Sequence, residues 1–285
     1  MPVVNFKNFT YKYSDSEKPA LKDINIEIES GEFVILTGPS GCGKTTLCRC
    51  FNGLIPHFYN GEIKGNLSIA GFDVKETPIS VLSQYVGFVF QNPENQLFAL
   101  SVEKDVAFGL ENLGIDRREM SERVNWALEV TGTKDLREKA PYELSGGQQQ
   151  RVAIASVLAM KPKVIVLDEP TSFLDPLSAQ RILEVVGHLN RDFGLTVVLV
   201  EHRLDLASVY AHRILVMDEG AIMTSGTPKE VFGNRDVWAL GVGVPKVTRL
   251  CQYLEEKGVN LGDIAVTPDE AAELILRCKM VDRCQ

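Results

Sequence analysis

Long hydrophobic runs are missing from this chain of 285 residues. Unbroken apolar runs such as Val164–Leu167 and Val197–Val200 fall far short of the roughly 18 residues that span a membrane. No charged segment followed by an apolar one opens the sequence, so a secretory leader is not expected. The ordinary share of apolar residues, 45%, excludes intrinsic disorder. We therefore expect a folded protein that does not cross a bilayer by itself.

An excess of positive charge is also absent. Lys and Arg number 30 against 38 Asp and Glu, which gives a formal net charge of −8. Proteins that bind duplex nucleic acid usually carry a basic face. The charge balance therefore argues against a nucleic-acid partner.

Cysteine pairs with the two-residue spacing of a zinc site do not occur. The six cysteines are Cys42, Cys48, Cys50, Cys251, Cys278 and Cys284. In a protein kept in a reducing compartment such cysteines stay as thiols. We expect six free thiols, with Cys42 set apart because it lies in the glycine-rich segment described below.

The pattern of apolar residues predicts an α/β fold. Val3–Phe6 and Ile24–Ile28 read as strands near the start of the chain. Val86–Phe90, Val164–Leu167 and Thr196–Val200 are short continuous apolar runs separated by helical stretches. Such runs are typical of parallel strands that helices cover on both faces.

Start signals for helices are clear in the second half of the chain. Asp175 followed by Pro176 predicts an N-cap and first turn. Thr227–Glu230 and Thr267–Glu270 each fit a capping box. The stretch Gly241–Pro245 reads as a joint. We therefore predict one domain over residues 1–233 and a small helical domain over residues 234–285.

A glycine-rich segment between a predicted strand and a predicted helix matches the phosphate-loop pattern. Its residues are Gly38, Pro39, Ser40, Gly41, Cys42, Gly43, Lys44, Thr45 and Thr46. Glycines let successive N–H groups turn inward around an anion, and the following helix adds its positive end. In this pattern the lysine reaches the outer phosphates of a nucleotide and the first threonine hydroxyl binds Mg²⁺. The pattern predicts that Lys44 and Thr45 do so here.

Two further segments carry chemistry that fits a bound nucleotide. The strand at Val164–Leu167 ends in Asp168 and Glu169, placed to hold Mg²⁺ and to polarise an attacking water. Leu144–Gln148 precedes a helix and offers a second anion site. Its candidate contacts are Ser145, Gly146, Gly147 and Gln148.

These three segments together resemble the nucleotide-binding subunit of ATP-binding cassette (ABC) transporters, over about residues 3–231. The resemblance implies a phosphate-loop NTPase core with a mainly parallel sheet and an antiparallel β subdomain at the N-terminus. It also implies a helical signature subdomain at about residues 92–160 and a small C-terminal helical extension. ATP is the implied substrate, with Mg²⁺ as cofactor.

The resemblance assigns roles to further residues. Gln91 corresponds to the family's glutamine that touches Mg²⁺ and the attacking water, and His202 to the switch histidine at the γ-phosphate. Asp175 closes the loop Ser172–Asp175 that crosses between subunits. Tyr13 is similar to the aromatic residue that stacks on adenine, with Tyr11 as the competing residue. Glu169, His202, Gln91 and Lys44 would then be catalytic, and Thr45, Gln91 and Asp168 would hold the metal.

Short strings around these motifs, Gln91–Gln96 and Val200–Asp205, resemble ATPase subunits of energy-coupling factor (ECF) importers for vitamins or transition-metal ions. That resemblance implies a peripheral protein at the cytoplasmic face of the membrane, bound to integral membrane subunits. It also implies a head-to-tail dimer with a copy of itself or a paralogue, joined in part by the C-terminal domain. The alternative is a soluble ABC ATPase of a nucleic-acid or translation process. A phosphate-loop kinase leaves Leu144–Gln148 unexplained.

Overall fold

Two β-sheets and a set of helices build the protein, which we describe from a computed structural model covering residues 2–282. The strands are β1 (Val4–Tyr13), β2 (Leu21–Ile28), β3 (Phe33–Thr37), β4 (Gly61–Ile69), β5 (Phe72–Asp73), β6 (Val86–Val89), β7 (Val164–Asp168), β8 (Thr196–Val200), β9 (Arg213–Asp218) and β10 (Ala221–Gly226). The helices are α1 (Lys44–Phe51), α2 (Leu54–His57), α3 (Ile79–Leu82), α4 (Val102–Asn112), α5 (Arg117–Val130), α6 (Gly146–Ala159), α7 (Pro176–Phe193), α8 (Leu204–Ala207), α9 (Pro228–Gly233), α10 (Asp236–Ala239), α11 (Lys246–Glu256) and α12 (Pro268–Asp282).

The central sheet has six strands in the order β10-β9-β3-β8-β7-β6. Pairing is parallel from β9 through β6, and only β10 is antiparallel. Every residue of β3, β7 and β8 is buried. Helices cover one face of this sheet, whereas α1 together with strands β1 and β2 covers the other, so the expectation of helices on both faces holds for one face only. The predicted parallel α/β core is confirmed.

The second sheet is antiparallel and has the order β2-β1-β4-β5. Strand β1 extends to Tyr13, well beyond the predicted end at Phe6, because β4 pairs with it as far as Tyr13. Strand β2 likewise starts at Leu21 rather than Ile24, through its pairing with Tyr11. The antiparallel subdomain predicted for the N-terminal region is thereby confirmed, with longer strands than the sequence pattern indicated.

Three helices, α4, α5 and α6, form a layer beside β6 and contribute to the larger hydrophobic core. Helix α6 buries most of its residues, and its Val157 faces Gly87 of β6. A Cβ atom on Gly87 would lie 2.1 Å from Cγ1 of Val157. Since real Cβ contacts are never this short, the close approach of helix and strand requires glycine at this position.

The C-terminal segment has a small hydrophobic cluster of its own, made by Cys251, Ala265, Ala271 and Leu274. The expected joint Gly241–Pro245 forms no regular element. It is nevertheless packed down, because Val242 and Val244 are buried in the core of the main domain. The chain therefore enters its C-terminal helices from a fixed position.

Cys42, Cys48, Cys50, Cys251 and Cys278 are free thiols, and Cys284 lies outside the described residues. Between residues 2 and 282, no helix combines the length and apolar character that a membrane crossing requires.

Replacing Gly87 by Ala should destabilise the protein by about 1–3 kcal/mol, because the added methyl group overpacks the contact with Val157. Chemical denaturation measures this as a lower midpoint with an unchanged slope. Ser80→Ala, at an exposed position of the nearby helix α3, is the control and should leave the midpoint unchanged. Equal midpoints for Gly87→Ala and wild type would contradict the close packing of α6 on β6.

Candidate functional site

The phosphate-loop segment lies between β3 and α1, as its sequence pattern predicted. Gly38 and Gly43 have φ angles of +149° and +110°, where side chains are disfavoured. A Cβ on Gly38 would also meet the Met217 carbonyl oxygen at 2.1 Å. The turn between β9 and β10 holds the loop from the other side, since Gly220 N–H donates to the Cys42 carbonyl at 2.9 Å. The loop is thus a fixed backbone cradle at the start of a helix.

Lys44 lies over this cradle with its side chain buried. Its ammonium donates to the carbonyl oxygens of Gly38 and Pro39, each at 2.9 Å. The positive charge is therefore held at the loop that is shaped to receive an anion.

Asp168 and Thr45 come together at the neighbouring strand end. Asp168 is the last residue of β7, is only 8% exposed, and accepts a hydrogen bond from the Thr45 hydroxyl. Burial raises the pKa of Asp168, while the Thr45 hydrogen bond acts in the opposite direction. A hydroxyl and a carboxylate are oxygen donors of the type that Mg²⁺ takes, so the donor set fits this ion. The described residues contain no cluster of three or more His, Cys, Asp or Glu side chains suited to a metal.

Glu169 is the centre of a hydrogen-bonded group formed by three strand ends. Its Oε2 accepts from Gln91 Nε2 at 2.9 Å and from Ser172 Oγ at 3.0 Å. Its Oε1 lies 3.2 Å from Nε2 of His202. The structure therefore brings together the three residues that the sequence placed after β6, β7 and β8. Glu169 has a φ of +50°, an unusual conformation for a non-glycine residue and one that recurs at functional sites.

The two candidate adenine-binding tyrosines differ in position. Tyr11 is fully buried, and its hydroxyl donates to the carbonyls of Tyr59 and Asn60. Burial is the main cause that raises the pKa of Tyr11 to about 12. Tyr13 is only partly buried, and its hydroxyl lies 3.2 Å from that of Thr46 at the start of α1. The geometry favours Tyr13, because Tyr11 has no free face for a base.

The segment Leu144–Gln148 lies at the start of helix α6. Ser145 is the exposed N-cap residue, and its N–H donates to Oε1 of Gln148 at 2.9 Å. Gly147 packs closely against Ser178 of α7. Across residues 2–282, no hydrogen bond joins this segment to the phosphate loop, Glu169 or His202.

Asp175 caps helix α7 as its sequence context predicted. Its carboxylate accepts from the N–H groups of Leu177 and Ser178, each at 3.0 Å. Hydrogen bonds from Ser178, first its hydroxyl and then its N–H, lower the pKa of Asp175. The carboxylate is exposed, so it remains charged and accessible at the surface.

Three residues near Glu169 were not identified from the sequence, namely Thr171, Glu201 and Arg203. Glu201 is a buried carboxylate at the end of β8. Glu201 and Arg203 lie in the string Val200–Asp205, but no role was assigned to them there. A further signal for Glu201 was a charged residue closing an otherwise apolar run, the same signal that marked Asp168 and Glu169.

Comparisons with known proteins agree with this geometry. The family model described as "ABC transporter" matches residues 21–172. An ABC transporter ATP-binding protein of Pyrococcus abyssi is 45% identical over 261 residues, covering 91% of this chain and 93% of the relative. The energy-coupling factor transporter ATP-binding protein EcfA1 of Caldanaerobacter subterraneus is 41% identical over 280 residues, covering 96% of this chain and 99% of the relative.

Solved structures are similar as well. CbiO1 from Clostridium perfringens, described as part of the ABC transporter complex CbiONQ, gives a TM-score of 0.76 at 35% identity and covers 89% of this chain and 99% of CbiO1. The dimeric ATP-binding cassette MJ0796, in a post-hydrolysis state with ADP and Pi, gives a TM-score of 0.68 at 31% identity. The match covers 79% of this chain and 98% of the MJ0796 chain.

Alkylation of Cys42 should be slow at neutral pH and should accelerate as pH rises. Burial is the main cause that raises the pKa of this thiol, so little reactive thiolate is present near pH 7. ATP should slow the reaction further, because Cys42 belongs to the loop that cradles the phosphates. Peptide mass spectrometry after timed alkylation measures the rate, with the partly exposed Cys278 as the internal reference. A Cys42 rate equal to that of Cys278 and unaffected by ATP would contradict both expectations.

Proposed function

Because the chain belongs to the ABC transporter family, as an ATP-binding and ATP-hydrolysing subunit of the energy-coupling factor type, we propose that it drives an importer of a vitamin or a transition-metal ion by closing head to tail with a second ATPase subunit. The second subunit is a copy of this chain or a paralogue. The observation that carries the proposal is the group around Glu169, which joins Gln91, Ser172 and His202 beside the phosphate loop.

The chemistry needs positioning and charge neutralisation more than covalent steps. Lys44 and the loop N–H groups hold the charge that develops on the phosphates. Glu169 polarises the attacking water, and Gln91 and His202 orient the water and the γ-phosphate around it. Thr45, Asp168 and Gln91 are the residues that would hold Mg²⁺, which when bound neutralises phosphate charge. The ring of Tyr13 stacks on the adenine.

We infer that a second polypeptide is needed because no hydrogen bond within residues 2–282 joins the two anion sites. Ser145 and Gly146 are exposed at the start of α6 and have no hydrogen bond to the chain's own phosphate loop. The segment Ser145–Gln148 instead caps a triphosphate held by the partner's loop, and the exposed Asp175 lies in the loop that crosses to that partner. ATP then favours the closed dimer because it contacts both subunits only in that state.

The membrane subunit docks beside the segment that follows Gln91. A groove of about 320 Å³ lies there between β6, α4 and α6. Phe98 lines this groove and is 66% exposed, and Leu100, two residues further along the chain, is 79% exposed. Asp105 shapes this stretch by accepting the N–H groups of Phe98 and Ala99. Exposed apolar side chains at a groove favour docking of an apolar partner segment. Docking there would hold the protein at the cytoplasmic face of the membrane.

We assign the predicted C-terminal domain, residues 234–285, to subunit dimerisation; its structure is described as far as residue 282. Apolar side chains remain exposed on it at Leu250, Tyr253, Val259 and Leu276. These side chains support a contact with the same domain of a second subunit. The alternative of a soluble ABC ATPase acting on nucleic acid is disfavoured by the net charge of −8.

Glu169→Gln should lower ATP hydrolysis by at least about 100-fold, since an amide cannot accept the proton of the attacking water. ATP binding should persist, so closed dimers should accumulate with ATP, formed by this chain alone or with its paralogue. Light scattering coupled to size-exclusion chromatography measures the mass. Adding Ser145→Arg to Glu169→Gln should abolish the dimer, because the segment Ser145–Gln148 can no longer cap the partner's ATP. Wild-type turnover in Glu169→Gln would remove Glu169 from the proposed role.

Leu100→Asp should reduce recovery of the protein with its membrane complex by about tenfold, because a charge would be buried at the docking contact. Affinity purification of the assembled complex followed by quantitative immunoblotting measures the ratio of subunits. Met223→Asp is the matched control, since Met223 is 54% exposed but lies on the edge strand β10. Equal recovery of the two variants would exclude the exposed stretch around Leu100 as a membrane contact.

A further inference from the structure

Glu201 is a buried carboxylate that the mechanism above does not use. It follows β8, directly before His202, and is 1% exposed. Burial of a carboxylate is unfavourable unless hydrogen bonds compensate for the lost hydration. Its partners therefore indicate why the chain keeps a charged group there.

Three donors satisfy this carboxylate. Oε1 accepts from the N–H groups of His202 and Arg203, at 2.8 and 2.9 Å. Oε2 accepts from the Thr171 hydroxyl at 2.5 Å, and Thr171 is itself fully buried. The Glu201 side chain is thus hydrogen-bonded to the backbone of His202 and also to Thr171, which lies in the segment after β7.

Thr171 belongs to the tight turn that carries Glu169. Ser172 N–H donates to the Glu169 carbonyl at 3.2 Å, and Leu174 N–H to the Thr171 carbonyl at 3.1 Å. A second bridge runs parallel to the first, because the Arg203 guanidinium donates to the Leu174 carbonyl at 2.8 Å. Two hydrogen bonds therefore tie residues 169–174 to residues 201–203 behind the contact of Glu169 with His202.

We infer that Glu201 and Thr171 form a positioning pair, which sets the distance between the carboxylate of Glu169 and the imidazole of His202 during ATP hydrolysis. The inference rests on the proposed function, since the spacing affects turnover only if these two groups act on ATP. The pair contacts neither the phosphate loop nor Tyr13 in the hydrogen bonds of the described chain. It should therefore affect the chemical step and leave nucleotide binding unchanged.

Thr171→Val tests the pair because it removes the bridging hydroxyl and keeps the shape of the side chain. We expect kcat of the assembled complex to fall about tenfold, as for loss of one hydrogen bond to a charged group. KM and the binding affinity for ATP should stay within about twofold, since the pair makes no contact with the phosphate loop. Thr171→Ser, which restores the hydroxyl, should recover kcat to within about twofold of wild type.

Thr131→Val is the matched control. Thr131 is also fully buried, and its hydroxyl donates to the Ala127 carbonyl at 2.8 Å, but it lies at the end of α5. The melting temperature of the Thr131→Val variant should fall as in Thr171→Val, while the kcat of Thr131→Val should match wild type. The double variant E201A/T171V should lose less activity than the product of the two single losses, because both changes remove the hydrogen bond between Glu201 and Thr171. If Thr171→Val does not fold, Thr171→Ala, which also removes the hydroxyl, takes its place with the same expected loss of kcat.

Wild-type kcat in Thr171→Val would overturn the inference. So would a loss of ATP affinity equal to the loss of kcat, or an equal loss of kcat in Thr131→Val, because each indicates a general structural role. A wild-type complex that does not hydrolyse ATP would overturn the proposed function and this inference together. Wild-type turnover with an unaffected Thr171→Val overturns the inference alone.

Discussion

The parallel register of β3, β8 and β7 is the constraint on which the site depends. Leu36 pairs with Val200, and Val200 pairs with Asp168, so the three strands end at one level. The phosphate loop, the Glu201–His202 turn and Glu169 therefore begin side by side, although they are far apart in the chain. Ligands bind at this edge in open α/β sheets because the strand ends and helix N-termini meet there.

Negative charge concentrates at the same edge. Asp168 ends β7 and Glu169 follows it, while Glu201 follows the adjacent strand β8. Burial raises the pKa of Asp168. Lys44 lies nearby but is held by the loop carbonyls. A triphosphate approaching these carboxylates is repelled unless cations intervene. This charge balance supports the proposal that a lysine, a divalent ion and a second set of N–H groups act on the triphosphate together.

Local signals in the sequence predicted most of the core and the candidate site residues. The bounds of β8 were predicted correctly, and Asp175 caps α7 as expected, because both depend on neighbouring residues in the chain. The full length of β1 was not predictable, since pairing with β4 extends it to Tyr13. The burial of Val244 in the main core was missed for the same reason, because a Gly- and Pro-containing stretch does not indicate its distant contacts. The roles of Glu169, His202 and Ser145 in ATP hydrolysis stay predictions, which the variants above test.

Glu201 illustrates the limit of motif reading most clearly. A motif identifies residues that touch the ligand, whereas the carboxylate of Glu201 accepts hydrogen bonds from the backbone of His202 and Arg203 and from the hydroxyl of Thr171. Glu201 is buried because β8 lies inside the sheet, between β3 and β7. A single charged residue after an apolar strand is ambiguous in sequence, because it can face solvent or a catalytic centre. Here Glu201 is buried, and its carboxylate accepts hydrogen bonds from three donors. These bonds connect the segment that carries Glu169 to the segment that carries His202.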